Sequence, residues 1–241
     1  MDSSLDKFLN GKIRIYQHTK GYRAGIDSVI LAASVKCKAG DTVIDAGSGT
    51  GVISYCLAFR CDNIKVIGVE KNFEYYSLAK KSMTFNSVNA KIDFLNKDFI
   101  NIINMQSDII VSNPPWFKQD SSFISKNDLK NDAKIESLNL DEWIQKVIGN
   151  LKDRGEYYTI FPYSRIKEII EILKKYFDII KTYPISSFED KLPDRAIIYA
   201  KKMANKTECI ELNKIIIHKN DKSFMNNIND VLRKGSSLSL A

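Results

Sequence analysis

The sequence predicts an α/β fold, with a mostly parallel sheet, helices on both faces and a terminal antiparallel hairpin. Three observations predict it. Short apolar runs alternate with amphipathic stretches along most of the chain, as strand–helix–strand units require. A glycine-rich segment, Asp45-Ala46-Gly47-Ser48-Gly49-Thr50-Gly51, stands between one such run and the next periodic stretch. Near the end, the runs at 177–184 and 195–202 are joined by a loop without room for a helix, so they pair antiparallel.

Each element has its own signal. Residues 11–17 alternate apolar and polar positions and read as a strand. A turn at Lys20-Gly21 follows, and Asp27 can cap a short helix through Ser34. The buried strand 42–45 runs into the glycine loop and a helix over 51–60. Strand 65–70, a helix over 72–86, and strands 92–95 and 107–112 follow. In the second half, 141–151 is helical, Asp153-Arg154-Gly155 is a turn, 156–161 is a strand and 164–176 is a strongly periodic helix. The tail offers a strand over 208–218 and a short amphipathic helix near 223–234. Residues 117–138 are polar, lysine-rich and without clear periodicity, which reads as a long functional loop. The organisation expected is an N-terminal hairpin and helix extension over 1–40, a core over 41–203, and a C-terminal strand and helix over 204–241 packed on that core.

Composition narrows the class. A chain of 241 residues with 44% hydrophobic and 27% charged residues suits one large soluble domain. No apolar run approaches the roughly 20 residues that span a bilayer, and the opening Met1-Asp2-Ser3-Ser4-Leu5-Asp6-Lys7 has no signal-peptide pattern. A cytoplasmic location is expected. Cys37, Cys56, Cys61 and Cys209 lack paired metal-ligand spacing, and the only histidines are His18 and His218. Neither a metal site nor a Cys–His nucleophile is expected. A net charge of +7 is compatible with a polyanionic partner, although the excess is lysine rather than arginine.

Two segments carry chemistry. Glycines between a strand and a helix let backbone approach a ligand, and the helix amino terminus offers unpaired N–H groups. Glu70 ends the next strand, where a carboxylate can accept both hydroxyls of a ribose. The glycine spacing is Gly47-x-Gly49-x-Gly51 with Asp45 two residues ahead. A dinucleotide loop wants Gly-x-Gly-x-x-Gly and must tolerate a diphosphate, which Asp45 would repel. The same carboxylate suits an ammonium group, so S-adenosylmethionine is favoured over an NAD-type cofactor. Asp98, after the third strand, can then accept from the adenine amino group, and Phe99 can pack on the adenine ring.

The second segment, Asn113-Pro114-Pro115-Trp116, closes the strand 107–112. Two prolines fix φ and remove two backbone donors. The resulting stiff turn presents carbonyls between an amide and an aromatic ring. Such a turn can grip a planar group bearing an NH2, with Asn113 and Pro114 oxygens accepting its hydrogens and the Trp116 indole stacked on its face.

Together, Asp-Ala-Gly-Ser-Gly-Thr-Gly followed by Asn-Pro-Pro-Trp resembles the class I amino-methyltransferases, and most closely the bacterial tRNA(Val) adenine N6-methyltransferase family. The opening Tyr16-Gln17 and Gly21-Tyr22-Arg23-Ala24-Gly25-Ile26-Asp27, the segment Asn113–Phe117, and the tail from Ile217-His218 to Leu232-Arg233-Lys234-Gly235 extend the resemblance over nearly the whole chain. It implies a Rossmann-like, seven-stranded sheet and methyl transfer from S-adenosylmethionine to adenine N6 in RNA, with tRNA the expected substrate. It further implies that Asp45, Gly47, Glu70 and Asp98 bind cofactor and that Asn113 and Pro114 position the amine; Gly49, Gly51, Phe99 and Asn113 are further expected cofactor contacts. Asn113, Pro114, Pro115 and Trp116 would then form the catalytic loop. Trp116 stands where Tyr is commoner. Candidate substrate contacts are Trp116, Phe117, Arg23, Lys118 and Lys130. Asp27 and Arg195 are further candidates, for the cofactor's methionine end and for RNA. A protein glutamine or another RNA base is an alternative acceptor, and a non-catalytic RNA-binding protein is a third reading. Only 44 residues precede Asp45, which is short for the helical domain of glutamine methyltransferases.

Overall fold

The computed structural model describes residues 2–21, 23–88, 90–114, 140–202 and 208–240. The chain opens with an antiparallel hairpin, β1 (Ser3–Phe8) and β2 (Ile13–His18), turned through left-handed Leu9 and Asn10. Helix α1 (Ile26–Ser34) follows. The main sheet then begins, as β3 (Thr42–Ala46), α2 (Val52–Arg60), β4 (Lys65–Glu70), α3 (Phe73–Ser82), β5 (Lys91–Asn96) and β6 (Ser107–Ser112). After it come α4 (Leu140–Asn150), β7 (Leu151–Pro162), α5 (Ile166–Leu173), β8 (Ile179–Ser186) and β9 (Arg195–Lys201). The tail adds β10 (Glu208–Glu211), β11 (Ile215–Ile216) and α6 (Asn226–Lys234).

The strand order is β10-β8-β9-β7-β6-β3-β4-β5, with β11 also pairing β8. Strands β3 to β7 are mutually parallel, whereas β9 runs antiparallel to both β7 and β8. This is the α/β architecture with a terminal antiparallel hairpin. The seven expected strands are β3 to β9, and two short strands extend the sheet to nine.

Burial on both faces explains why the central strands read as continuous apolar runs. Val43, Val66, Ile109 and Val111 point into one core with α1, α2, Ala79 of α3, and α6. Their alternating neighbours Ile44, Ile67 and Ile110 point into the other, with α4 and α5. Among the described residues, no helix is long and apolar enough to cross a membrane.

Several expectations shift locally. Asp27 lies inside the first turn of α1 and the cap position belongs to Gly25, so Asp27 is no cap. The expected turn at Asp153-Arg154-Gly155 is a bulge inside β7: Arg154 has φ +63°, and the register jumps between the Ser107–Leu151 and Ile109–Glu156 pairs. The tail strand is split into β10 and β11, both parallel to β8. The expected loop at 117–138 lies outside the described residues.

Candidate active site

Register brings the predicted residues to one edge of the sheet. Ala46 pairs with Val69 on one side and Ser112 on the other, so the chain leaves β3 at Gly47 between Glu70 and Asn113. Glu70 pairs with Asn96 on β5, two residues before Asp98. These positions span four neighbouring strands, about 14 Å at the usual spacing. All lie at strand carboxyl ends, where open α/β sheets bind ligands.

The glycine loop is shaped by left-handed backbone. Gly47, Gly49 and Gly51 have φ of +75°, +54° and +85°, conformations costly for a residue with Cβ. Gly49 donates its N–H to Glu70 Oε2 at 2.8 Å, and Asn72 donates to Oε1 at 2.8 Å. Glu70 therefore holds the loop and the start of α3 together. A carboxylate has about four acceptor positions, so room remains for a further donor. Burial pushes its carboxyl above the ordinary range, against those two N–H donors.

Asp45 is fully buried. Its Oδ2 accepts from Ser54 N at 3.0 Å and Ser54 Oγ at 2.6 Å. Oδ1 and the neighbouring Ser48 Oγ are buried with no hydrogen-bond partner among the described residues. Burial raises the Asp45 carboxyl to about 7, and Glu70 adds to the rise while Ser54 opposes it. An orphaned acceptor of this kind calls for a cationic or polar donor. The donor set thus fits S-adenosylmethionine: Asp45 toward an ammonium group, Glu70 toward a ribose diol. Asp98 is half-buried and accepts Ile100 N–H at 3.2 Å through Oδ1. Phe99 is 3% exposed and its ring packs on Trp143 at 4.9 Å, in the core of the α4 face.

Asn113 and Pro114 are half-buried just past β6. Asn113 Nδ2 donates to Ser28 Oγ of α1 at 3.3 Å. The amide Oδ1 takes no bond among the described residues. Beneath this turn lies a buried polar cluster. Ser112 Oγ meets Tyr157 OH at 2.7 Å and Thr159 Oγ1 at 3.3 Å, while Trp143 Nε1 donates to Tyr157 OH at 3.3 Å. Sequence patterns point to neither Ser28 nor this cluster. Ser28 carries only the weak signal of a small polar residue on an apolar helix face.

Other candidates are placed differently. Arg23 donates to Ser4 Oγ at 3.0 Å and to Asp6 Oδ2, which ties its charge to the hairpin. Arg195 pairs with Asp27 at 2.8 Å and Asp194 at 2.6 Å. Burial nevertheless holds Asp27 above the ordinary aspartate range, against the Arg195 charge and hydrogen bond, and the Asp194 charge adds to the rise. Pro115, Trp116, Phe117, Lys118 and Lys130 lie outside the described residues.

Comparison with known proteins agrees with this geometry. Residues 23–135 match the model of the methyltransferase small domain. The chain is 22% identical over 224 residues to a tRNA1(Val) (adenine(37)-N6)-methyltransferase of Haemophilus influenzae, covering 91% of this chain and 94% of that protein. A protein of the same description from Proteus mirabilis is 24% identical over 206 residues, covering 83% and 81%. Among solved structures, one described as a predicted O-methyltransferase from Agrobacterium tumefaciens superposes with a TM-score of 0.71 at 17% identity, over 88% of this chain and 98% of that one. TYW2 of P. horikoshii in complex with MeSAdo gives 0.53 at 16%, over 80% and 69%. These two likenesses establish the fold.

Proposed function

We propose that this S-adenosylmethionine-dependent methyltransferase takes adenine N6 in RNA as its acceptor, with tRNA the substrate. The observation that carries this reading is the Asn113 amide. It stands one strand from the Asp45–Gly51 loop, anchored through nitrogen, with no partner on its oxygen among the described residues. The names and near full-length coverage of the tRNA1(Val) relatives support the acceptor.

When bound, S-adenosylmethionine supplies an electrophilic methyl group. The chain's part is to bind and orient. Asp45 and Glu70 offer carboxylates, Gly47, Gly49 and Gly51 let backbone approach, and Asp98 accepts at the adenine end beside the Phe99 backbone. An exocyclic amine on an aromatic ring is a weak nucleophile because its lone pair is delocalised. Accepting its two hydrogens at Asn113 Oδ1 and the Pro114 carbonyl favours a pyramidal nitrogen with a directed lone pair. Pro115 stiffens the turn, and the Trp116 indole is the natural stacking partner for the base. His18 faces Glu74 and His218 stacks on Phe224; the methylated nitrogen can pass its proton to water, so the reading invokes no histidine base.

The test is incubation with tritiated S-adenosylmethionine and total tRNA, ribosomal RNA or protein, followed by nucleoside and amino-acid analysis. Label is expected in N6-methyladenosine from tRNA; label confined to glutamine or another base would refute the acceptor. Asn113→Ala should abolish transfer while S-adenosylhomocysteine affinity is kept, and retained turnover would remove the mechanism.

A further inference from the structure

A concavity of about 740 Å³ opens against the N-terminal hairpin. Its walls are the β1–β2 hairpin, the first turn of α1 and the C-terminal segment with α6. None of the residues lining it belongs to the Asp45–Gly51 loop, Glu70, Asp98 or Asn113. Its volume is that of a ligand site.

Three cations line this groove, Lys7, Arg14 and Arg233, and no carboxylate does. All three are exposed. None has an ion-pair partner among the described residues, and Arg14 is bonded only through its backbone, to Asn86. The nearby acids are already committed, Asp6 to Arg23 and Asp230 to Lys234. Lys7 and Arg14 are directly opposite in the hairpin ladder, where like charges repel unless an anion lies against them. Between the cations, half-buried Phe8 and Phe224 contribute apolar faces. The matching ligand is polyanionic and carries flat apolar rings. An unpaired nucleic-acid strand has both features, whereas a duplex hides its base faces.

The groove shares α1 with the reaction site: Ile26 and Val29 of one helix face line it, while Ser28, which holds Asn113, lies on another face of the same helix. We propose that this groove binds an unpaired stretch of the substrate RNA, its phosphates on Lys7, Arg14 and Arg233 and a base against Phe8 or Phe224. The proposal rests on the RNA reading above.

The experiment uses the full chain and a Lys7→Gln, Arg14→Gln, Arg233→Gln triple variant. Affinity for a short, fluorescein-labelled single-stranded RNA is measured by anisotropy over a series of salt concentrations, alongside methyl transfer to tRNA. Losing three phosphate contacts should lower the slope of log affinity against log salt by about 2. The KM for tRNA should rise by about tenfold or more, with kcat, S-adenosylhomocysteine affinity and thermal midpoint kept. A wild-type slope and KM in the folded variant overturn the groove while leaving the function in place. A wild-type chain that binds the oligonucleotide with a groove-dependent slope, yet methylates no RNA, refutes the function and leaves the groove. A wild-type chain that does not bind the oligonucleotide overturns the groove. Equal competition by a duplex of the same length overturns its single-stranded occupant.

Discussion

Replacing Asp45 by asparagine separates what this carboxylate costs the fold from what it contributes to binding. Burial holds its carboxyl at about 7, against an ordinary 3.8. The folded chain thus keeps this proton more tightly than the unfolded chain does. Its contribution to stability is complete below the unfolded value and is lost as pH rises through 7. Between pH 8 and pH 5 the group should add about 2.5 kcal/mol to wild-type stability. The Asp45→Asn side chain would keep an oxygen for Ser54 N and Oγ and has no proton to titrate, so the variant lacks that gain. Urea unfolding of both proteins, without cofactor, at the two pH values isolates the difference, because every other titration is common to both. Identical pH dependence would refute the claim that Asp45 is held as a costly buried anion.

The same substitution removes the acceptor proposed for an ammonium group. Losing one charge-assisted bond of about 2 kcal/mol weakens S-adenosylhomocysteine binding by about thirtyfold. In the wild type, affinity should rise with pH through 7, as the ionised form becomes populated. Calorimetry reads both effects, and wild-type affinity in the variant would exclude Asp45 from the site.

Two further outcomes follow from contacts. Ser28→Ala frees the Asn113 amide, so kcat should fall by about tenfold, one hydrogen bond's worth, with S-adenosylhomocysteine affinity unchanged and Ser28→Thr restoring part of the rate; an unaltered kcat would show that Ser28 does not position the amide. Gly51→Ala forces Cβ into a left-handed residue, 2.7 Å from the Phe94 ring and 3.2 Å from Tyr55, which should cost about 3 kcal/mol of stability; a thermal midpoint equal to wild type would refute the packing argument.

Sequence patterns locate some features and not others, for identifiable reasons. β4 and β6 match their expected bounds because both are apolar runs bracketed by polar residues and buried on two faces. β1 has no such run; Ser3–Phe8 is a half-exposed strand that exists through pairing with β2. The convergence of Asp45, Glu70, Asp98 and Asn113 was legible because a parallel sheet brings its carboxyl ends to one edge. The Ser28–Asn113 bond spans 85 residues, and local periodicity carries no information about it. Phe99 shows the same limit: its place after a strand is a local signal, whereas the packing of its ring on Trp143 of α4 is set by a residue far along the chain.

Residues 23–28 then explain why the N-terminal segment matters to the chemistry. Arg23 ties this stretch to β1 through Asp6, and Ala24 N–H bonds Gln17 of β2 at 2.8 Å. Asp27 ties it to the start of β9 through Arg195, and Ser28 ties it to Asn113. Two remote pieces of chain and the proposed acceptor loop thus meet on one turn of α1. A rigid turn anchored on both sides fixes the amide more tightly than a loop end alone could, and orientation is what a weakly nucleophilic amine needs. The same turn forms a wall of the cationic groove. RNA seated there would bear on the element that holds Asn113, so substrate binding and amide placement would share one structural support.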